Sequence, residues 1–252
     1  MKKNENMKKA VFNWSGGKDS ALCLYHCLQN KEIDIKYLLT TVSREYNRIS
    51  MHGVRRELLK LQTESIEIKL HEVFLPEMAS MSSYDKIMKT ALEKLTNEEI
   101  EYSIFGDIFL EDLKKYRENK LAEVSMKGLF PLWNRSTKEL IKEFIDLGFK
   151  TIVVCANEKY LDKSFAGRVI DNEFVNDLPD NVDPCGENGE FHTFVYDGPI
   201  FKKPISFKLG DVVHREYKPN SNNKDDKCFS DDNDSSYDTG FWYRDLLIKN
   251  SH

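Results

Sequence analysis

The chain has 252 residues, with 37 lysines and arginines against 42 aspartates and glutamates and a formal net charge of −5. That length supports one large domain or two smaller ones with a real core, and the mixed charges exclude the basic face of a general nucleic-acid binder. No apolar run reaches the roughly 18 residues of a membrane span, and "MKKNENMKK" leads into a strand-like segment rather than a signal-peptide core, so a cytoplasmic protein is expected. The five cysteines, Cys23, Cys27, Cys155, Cys185 and Cys228, are odd in number and contain no CxxC pair. Neither a disulfide framework nor a zinc ribbon follows from them.

Strand and helix signals alternate from the start. "AVFNW" reads as a strand and "ALCLYHCL" as a helix, with Ala21, Leu24, Tyr25 and Leu28 on one face. "IDIKYLLTTV" is a strand, "HGVRRELLKLQ" a helix, "SIEIKLHEV" a strand, residues 83–95 a helix and "EYSIFGD" a strand. A further helix carries Leu110, Leu113, Leu121 and Val124. Such alternation predicts an α/β fold with a parallel sheet and right-handed crossovers. After "GLFPLWNRS" the pattern changes: Ser136 and Glu139 read as a capping box for "KELIKEFIDL", which Gly148 closes, and "TIVVCA" is a strand. A smaller α+β domain is therefore expected over residues 131–252, after a first domain over 1–130. Residues 218–240 are polar and low in complexity and read as a loop that need not be ordered; "FWYRDLLI" is apolar enough to pack back onto the body.

Between the first strand and first helix stands "SGGKDS". That is the C-terminal end of a strand, where open α/β sheets bind ligands. Gly16 and Gly17 let the backbone turn sharply and converge its N–H groups on an anion at the helix N-terminus. Ser15 and Ser20 add hydroxyls, Lys18 a cation and Asp19 a ligand for Mg2+. The helix end contributes roughly 0.3–1 kcal/mol per charge. Four or five charge-assisted hydrogen bonds at about 1.5–3 kcal/mol each contribute more, set against the roughly 8 kcal/mol of micromolar binding.

The loop lacks the spacing of a Walker A motif. "SGGKDS" resembles the pyrophosphate loop of the N-type ATP pyrophosphatases. With "FGDIFLEDLKKYRENKLAEVSMKGLFPLW", "AGRVID" and "DPCGENGEFHTFVYDGPIF", the chain resembles the diphthine–ammonia ligase family over roughly residues 8 to 215. The resemblance implies a first domain of the adenine-nucleotide α-hydrolase (HUP) fold and a second that completes the cleft. It implies ATP as nucleotide, and ammonia and a carboxylate acceptor as partners, the acceptor in that family being diphthine on elongation factor 2. By it, Ser15 to Ser20 bind phosphate and metal. The end of the second strand, Thr40 to Ser43 with Thr41 and Ser43 as the binding residues, is expected to form the adenine and ribose wall, because the C-terminal end of the neighbouring strand borders the same crevice. Gly106 and Asp107 border the same crevice, with Asp107 a second carboxylate for metal or ribose, and Glu187 and Glu190 orient ammonium or act as bases. Asn188 and His192 depart from the family pattern EGGEFET, which leaves room for another acceptor.

Spacing alone also allows "CGENGEFHT" to be a plain turn leading into a strand. Cys23 and Cys27 read as packed thiols, Cys185 has no identifiable catalytic partner, and His52 reads as a cap or surface residue. Two other functions fit the loop: a tRNA-modifying enzyme of the pyrophosphate-loop class, and a nucleotide sensor without catalysis. Neither a membrane nor direct nucleic-acid contact is expected, and apolar segments in the second half suit a homodimer.

Overall fold

The computed structural model describes residues 7–49, 53–76, 80–217 and 239–249. The strand β1 (Lys8–Asn13) is buried at its apolar centre, Ala10 to Phe12. It is followed by α1 (Lys18–Gln29), β2 (Ile33–Ser43), the short β3 (Arg48–Ile49), α2 (Arg56–Ile66), β4 (Leu70–Leu75) and α3 (Met81–Thr96). Then come β5 (Tyr102–Ile104), α4 (Glu111–Ala122) and β6 (Lys127–Leu129). Strands β4, β2, β1, β5 and β6 lie side by side in that order, all parallel, and β3 adds antiparallel at the end of β2. The order reverses between β1 and β5, so the loops leaving these two strands meet at the topological switch point.

The chain then forms α5 (Thr137–Asp146), β7 (Lys150–Asn157), α6 (Asn172–Asp177), β8 (Phe191–Asp197), β9 (Phe207–Tyr217) and β10 (Thr239–Ile248). These strands make an antiparallel sheet in the order β8-β7-β10-β9. The fold is thus α/β with a parallel sheet, followed by a smaller antiparallel α+β part. One core joins the two: Phe12, Trp14 and Leu58 pack in the same cluster as Phe144, Val153 and Phe194. The other face of the parallel sheet buries Val11, Leu39, Leu92 and Phe105.

Several expectations change. The predicted strand over "SIEIKLHEV" begins only at Leu70, because α2 runs on through Ile66 and ends at Glu67, which is left-handed at φ 64°. The Ser65 hydroxyl donates to Lys203 O at 2.6 Å, which fixes this last turn against the second part of the chain. The capping box at Ser136 does not form: Ser136 has extended N-cap geometry but its side chain makes no cap hydrogen bond. Backbone turns hold the entry to α5 instead, with Asn134 N–H donating to Ile108 O at 2.7 Å and Arg135 N–H to Leu132 O at 3.2 Å. "FWYRDLLI" becomes β10, an interior strand of the second sheet. His52, Cys228 and nearly all of the low-complexity stretch lie outside the described residues.

The end of α5 follows from its sequence. Gly148 is left-handed at φ 79°. Its N–H donates to Ile145 O at 2.9 Å and that of Phe149 to Phe144 O at 3.3 Å, the paired bonds of a Schellman cap. Phe144 and Phe149 stack across it with centroids 4.7 Å apart. In Gly148→Ala the new methyl meets nothing within 4 Å, so only the backbone penalty of about 1 kcal/mol is expected. Phe144→Ala empties a core site and is expected to cost about 3–5 kcal/mol. Urea unfolding of the two variants measures both.

Candidate active site

β1 delivers Trp14 to Gly17 to the switch point, and α1 starts at Lys18. Gly16 takes φ 80°, and a Cβ there would sit 2.7 Å from Gln62 Oε1, so both conformation and space require glycine. The Ser15 and Ser20 hydroxyls lie 2.9 Å apart, Ser15 Oγ accepts the Gly17 N–H at 3.2 Å, and Ser20 Oγ donates to Gly17 O at 2.9 Å. Gly106, just past β5, packs against the backbone of Asp19 and Ser20, where a Cβ would come within 3.2 Å. The first helical N–H groups of α1 have no acceptor within the helix, which is the usual basis of anion binding.

The second sheet closes directly onto this loop. Val195 N–H of β8 donates to Gly16 O at 2.9 Å, and Thr193 Oγ1 accepts the Lys18 N–H at 2.9 Å. Gln62 of α2 is fully buried. Its Nε2 donates to Gly16 O at 3.0 Å and Val195 O at 2.6 Å, and its Oε1 accepts from Trp14 Nε1 at 3.2 Å. On the other flank, Thr40 Oγ1 donates to Trp14 O at 2.5 Å, tying the loop to β2.

Charged groups gather beneath the loop. Lys18 is only 3% exposed; its Nζ reaches Asp19 Oδ1 at 2.9 Å and Oδ2 at 2.7 Å, bonds to the carbonyl of Cys185, and lies 5.4 Å from the Phe191 ring centroid. Burial works most strongly against its charge, but Asp19, Cys185 and Glu187 together outweigh it and hold the pKa above the ordinary lysine value. Asp107 is gripped by Arg117, with Nη2 donating to Oδ1 at 3.2 Å and Nε 2.9 Å from Oδ2. Burial pushes Asp107 upward, Arg117 pulls it down, and Asp19 adds to the rise. Glu187 Oε1 accepts the Ile108 N–H at 2.9 Å. Burial, reinforced by Asp19 and Asp107, pushes Glu187 up to about 8.

The structure therefore brings Ser15 to Ser20, Gly106, Asp107 and Glu187 into one neighbourhood. Glu190 sits elsewhere in the chemistry. It is 1% exposed, and its carboxylate accepts from Asp183 N–H at 2.9 Å, Asn188 N–H at 2.9 Å and Asn188 Nδ2 at 3.1 Å. This makes it the hub of the 183–190 turn. Thr41 and Ser43 lie half-buried at the end of β2, on the face opposite Thr40, the residue that touches the loop. Cys23 and Cys27 are buried free thiols, and the thiol of Cys185, whose Sγ donates to Thr137 O at 3.4 Å, is pushed upward by burial, which favours the un-ionised form. Sequence reasoning missed Gln62 and Thr193. The signal for the first was an amide amid the leucines of an apolar helix face; the second had none.

Two family models match the chain, the diphthamide synthase N-terminal domain over residues 7–128 and the diphthamide synthase C-terminal domain over residues 136–221. The diphthine–ammonia ligase of Homo sapiens is 25% identical over 225 residues, covering 79% of this chain and 82% of that one. That of Danio rerio is 24% identical, covering 79% and 86%, and that of Schizosaccharomyces pombe is 24% identical, covering 79% of this chain but 36% of a longer protein. Among solved structures, the U34-tRNA thiolase NcsA of Methanococcus maripaludis with its 4Fe-4S cluster is similar at TM-score 0.36 and 19% identity, covering 58% of this chain and 60% of that one.

Two variants test this geometry. Gln62→Leu strands the buried Trp14 indole N–H and Val195 carbonyl and is expected to cost about 2–6 kcal/mol in urea unfolding, at roughly 1–3 per orphaned group. Glu187 binds its proton more tightly folded than unfolded, so between about pH 4.5 and 8 the folded state holds more protons and stability falls as pH rises. Glu187→Gln removes that dependence. Relative to the unaltered chain, the variant is expected to gain roughly 2 kcal/mol between pH 5.5 and 7.5, read from urea titrations at the two pH values.

Proposed function

This chain belongs to the diphthamide synthase family, and we propose that it is an ATP-dependent ligase that adenylates a carboxylate and transfers ammonia to it. The observation that carries this reading is the "SGGKDS" loop at the switch point with Asp19, Asp107 and Glu187 gathered beneath it. A binding module needs the loop alone. The buried acids suit a reaction in which phosphate charge and a proton both have to be managed.

The acceptor carboxylate oxygen attacks the α-phosphorus of ATP, the bond to the bridging oxygen breaks, and pyrophosphate leaves. Ammonia then attacks the acyl carbon, the carbon–oxygen bond breaks, and AMP leaves. Backbone N–H groups at the start of α1 and the hydroxyls of Ser15 and Ser20 face the phosphates, and Lys18 offsets the charge on the departing pyrophosphate. Lys18 Nζ is held by Asp19 and the Cys185 carbonyl, which fixes its charge beside the loop. The end of β2 at Thr41 and Ser43 takes the adenosine. Glu187 in its ionised form accepts the proton that ammonia gives up as the amide forms, so this step strengthens as pH rises toward about 8.

Mg2+ fits the donor set. Asp19 and Asp107 offer hard oxygens, and Asp107 Oδ2 is buried without an aligned hydrogen-bond donor. Among the described residues no three acids, histidines or cysteines form a complete protein cage. Mg2+ is typically held by one or two carboxylates with phosphate oxygens and water. When bound, it supplies neutralisation of the phosphate charge. By family, the acceptor is diphthine on elongation factor 2.

Purified protein with Mg-ATP and ammonium is expected to release AMP and pyrophosphate only when diphthine-bearing elongation factor 2 is added. Asp19→Ala is expected to lower that turnover by at least ~100-fold. Ion-exchange chromatography of the nucleotides reads both; ADP and phosphate in place of AMP would overturn the adenylation step.

A further inference from the structure

The C-terminal strand β10 lies beyond the last residue that the family models match, yet it is interior to the second sheet, paired with β7 on one side and β9 on the other. It also reaches across to the first sheet. Asp245 Oδ1 accepts from Arg48 Nη1 at 3.0 Å and Arg55 Nε at 3.1 Å, and its Oδ2 accepts from Arg55 Nη2 at 2.6 Å. Arg48 uses the same Nη1 to donate to Gly53 O at 2.6 Å. Two residues before Asp245, the Tyr243 ring lies within 3.1 Å of where a Cβ on Gly53 would stand.

Both arginines belong to the excursion that follows β2. Arg48 is in β3, which pairs with the last two residues of β2, Val42 with Ile49 and Ser43 with Arg48. Arg55 immediately precedes α2, the helix that carries Gln62. Backbone hydrogen bonds close the excursion on itself, Ile49 N–H to Val54 O at 2.8 Å and Arg56 N–H to Asn47 O at 3.1 Å, and the Asp245 carboxylate ties both arginines of this closed turn to the second sheet, Arg55 in the bidentate geometry that fixes orientation as well as distance. Asp245 is 21% exposed at its side chain, so the pairs are partly shielded from water and salt.

We propose that Asp245 is a positioning residue for the nucleotide: through Arg48 and Arg55 it holds β3, and with it the end of β2, in the geometry that receives the adenosine of ATP. This rests on the ligase reading, which places adenosine at Thr41 and Ser43. The second sheet then contributes to ATP affinity from the side opposite β8, by a strand distant in sequence from the loop.

The test is calorimetric titration of the full chain with Mg-ATP, alongside AMP release at saturating ATP. Asp245→Asn, which keeps the shape and loses the charge, is expected to weaken ATP binding by about tenfold while turnover at saturating ATP stays within about twofold. Asp245→Glu is expected to restore most of the affinity. Glu158→Gln breaks a contact within the second sheet, to His214 and Gly240, and is expected to leave ATP affinity unchanged; an equal loss there would reduce Asp245 to a general stabiliser and overturn the proposal. If Asp245→Asn does not fold, Arg48→Lys takes its place with the same expectation. Unaltered affinity in the Asp245 or Arg48 variant overturns this inference alone. Absence of ATP binding by the unaltered chain overturns the ligase reading and this inference together.

Discussion

The carbonyl of Gly16 accepts two hydrogen bonds, one from the backbone of β8 and one from the side chain of Gln62, and the geometry of the site depends on that junction. A glycine-rich turn in isolation samples many conformations, and ordering each residue costs roughly 1–2 kcal/mol. Here the turn is held from three directions. α2 reaches it through Gln62, β8 through Val195 and Thr193, and β2 through Thr40. The second sheet is therefore part of the loop's support, which explains why the main core runs without interruption from Phe12 to Phe194.

The same junction brings unlike charges into a shielded space. Asp19, Asp107 and Glu187 stand against Lys18 and Arg117, three acids to two bases. With all five ionised the group would carry an excess negative charge at low effective dielectric, where a close like-charge pair costs several times its value in water. The protein resolves the excess by leaving a proton on Glu187 up to about pH 8. Added positive charge beside these acids favours loss of that proton, so the net charge of the cluster and the protonation of Glu187 are linked through one electrostatic balance.

The parallel sheet and its loop were legible because each leaves a local mark. Buried strands such as β1, with Ala10, Val11 and Phe12 in succession, are continuous apolar runs, and a pair of glycines before an amphipathic helix marks a backbone that must turn. Signals that depend on distant partners were not legible. Thr193 and Val195 sit in "FHTFVYD", which alternates like any half-buried strand; their meeting with Lys18 and Gly16 is decided by how the sheets dock. Ser65 and Ile66 fit a strand or a helix end equally well, and the left-handed Glu67 decides between them. At Ser136 and Glu139 the capping pattern is present, but the turn through Asn134 and Arg135 already fixes the helix entry, so the side-chain bond is not needed.

Asn188 and His192, the two departures from the family pattern, can now be weighed by position. Asn188 donates from both its backbone and its side chain to Glu190, so it tightens the 183–190 turn from within, and the left-handed conformations fall on Gly186 and Gly189 beside it. A glycine is therefore not required at 188, and the side chain adds a bond to the hub. His192 alternates with Phe191 and Thr193 along β8, and it is Phe191 and Thr193 that face Lys18. His192 points to the other side of the strand. Neither departure places a new group on the face that meets the loop. The cluster beneath the loop, Lys18, Asp19, Asp107 and Glu187, is therefore built on other contacts, Lys18 to Asp19, Glu187 to the Ile108 N–H and Asp107 to Arg117.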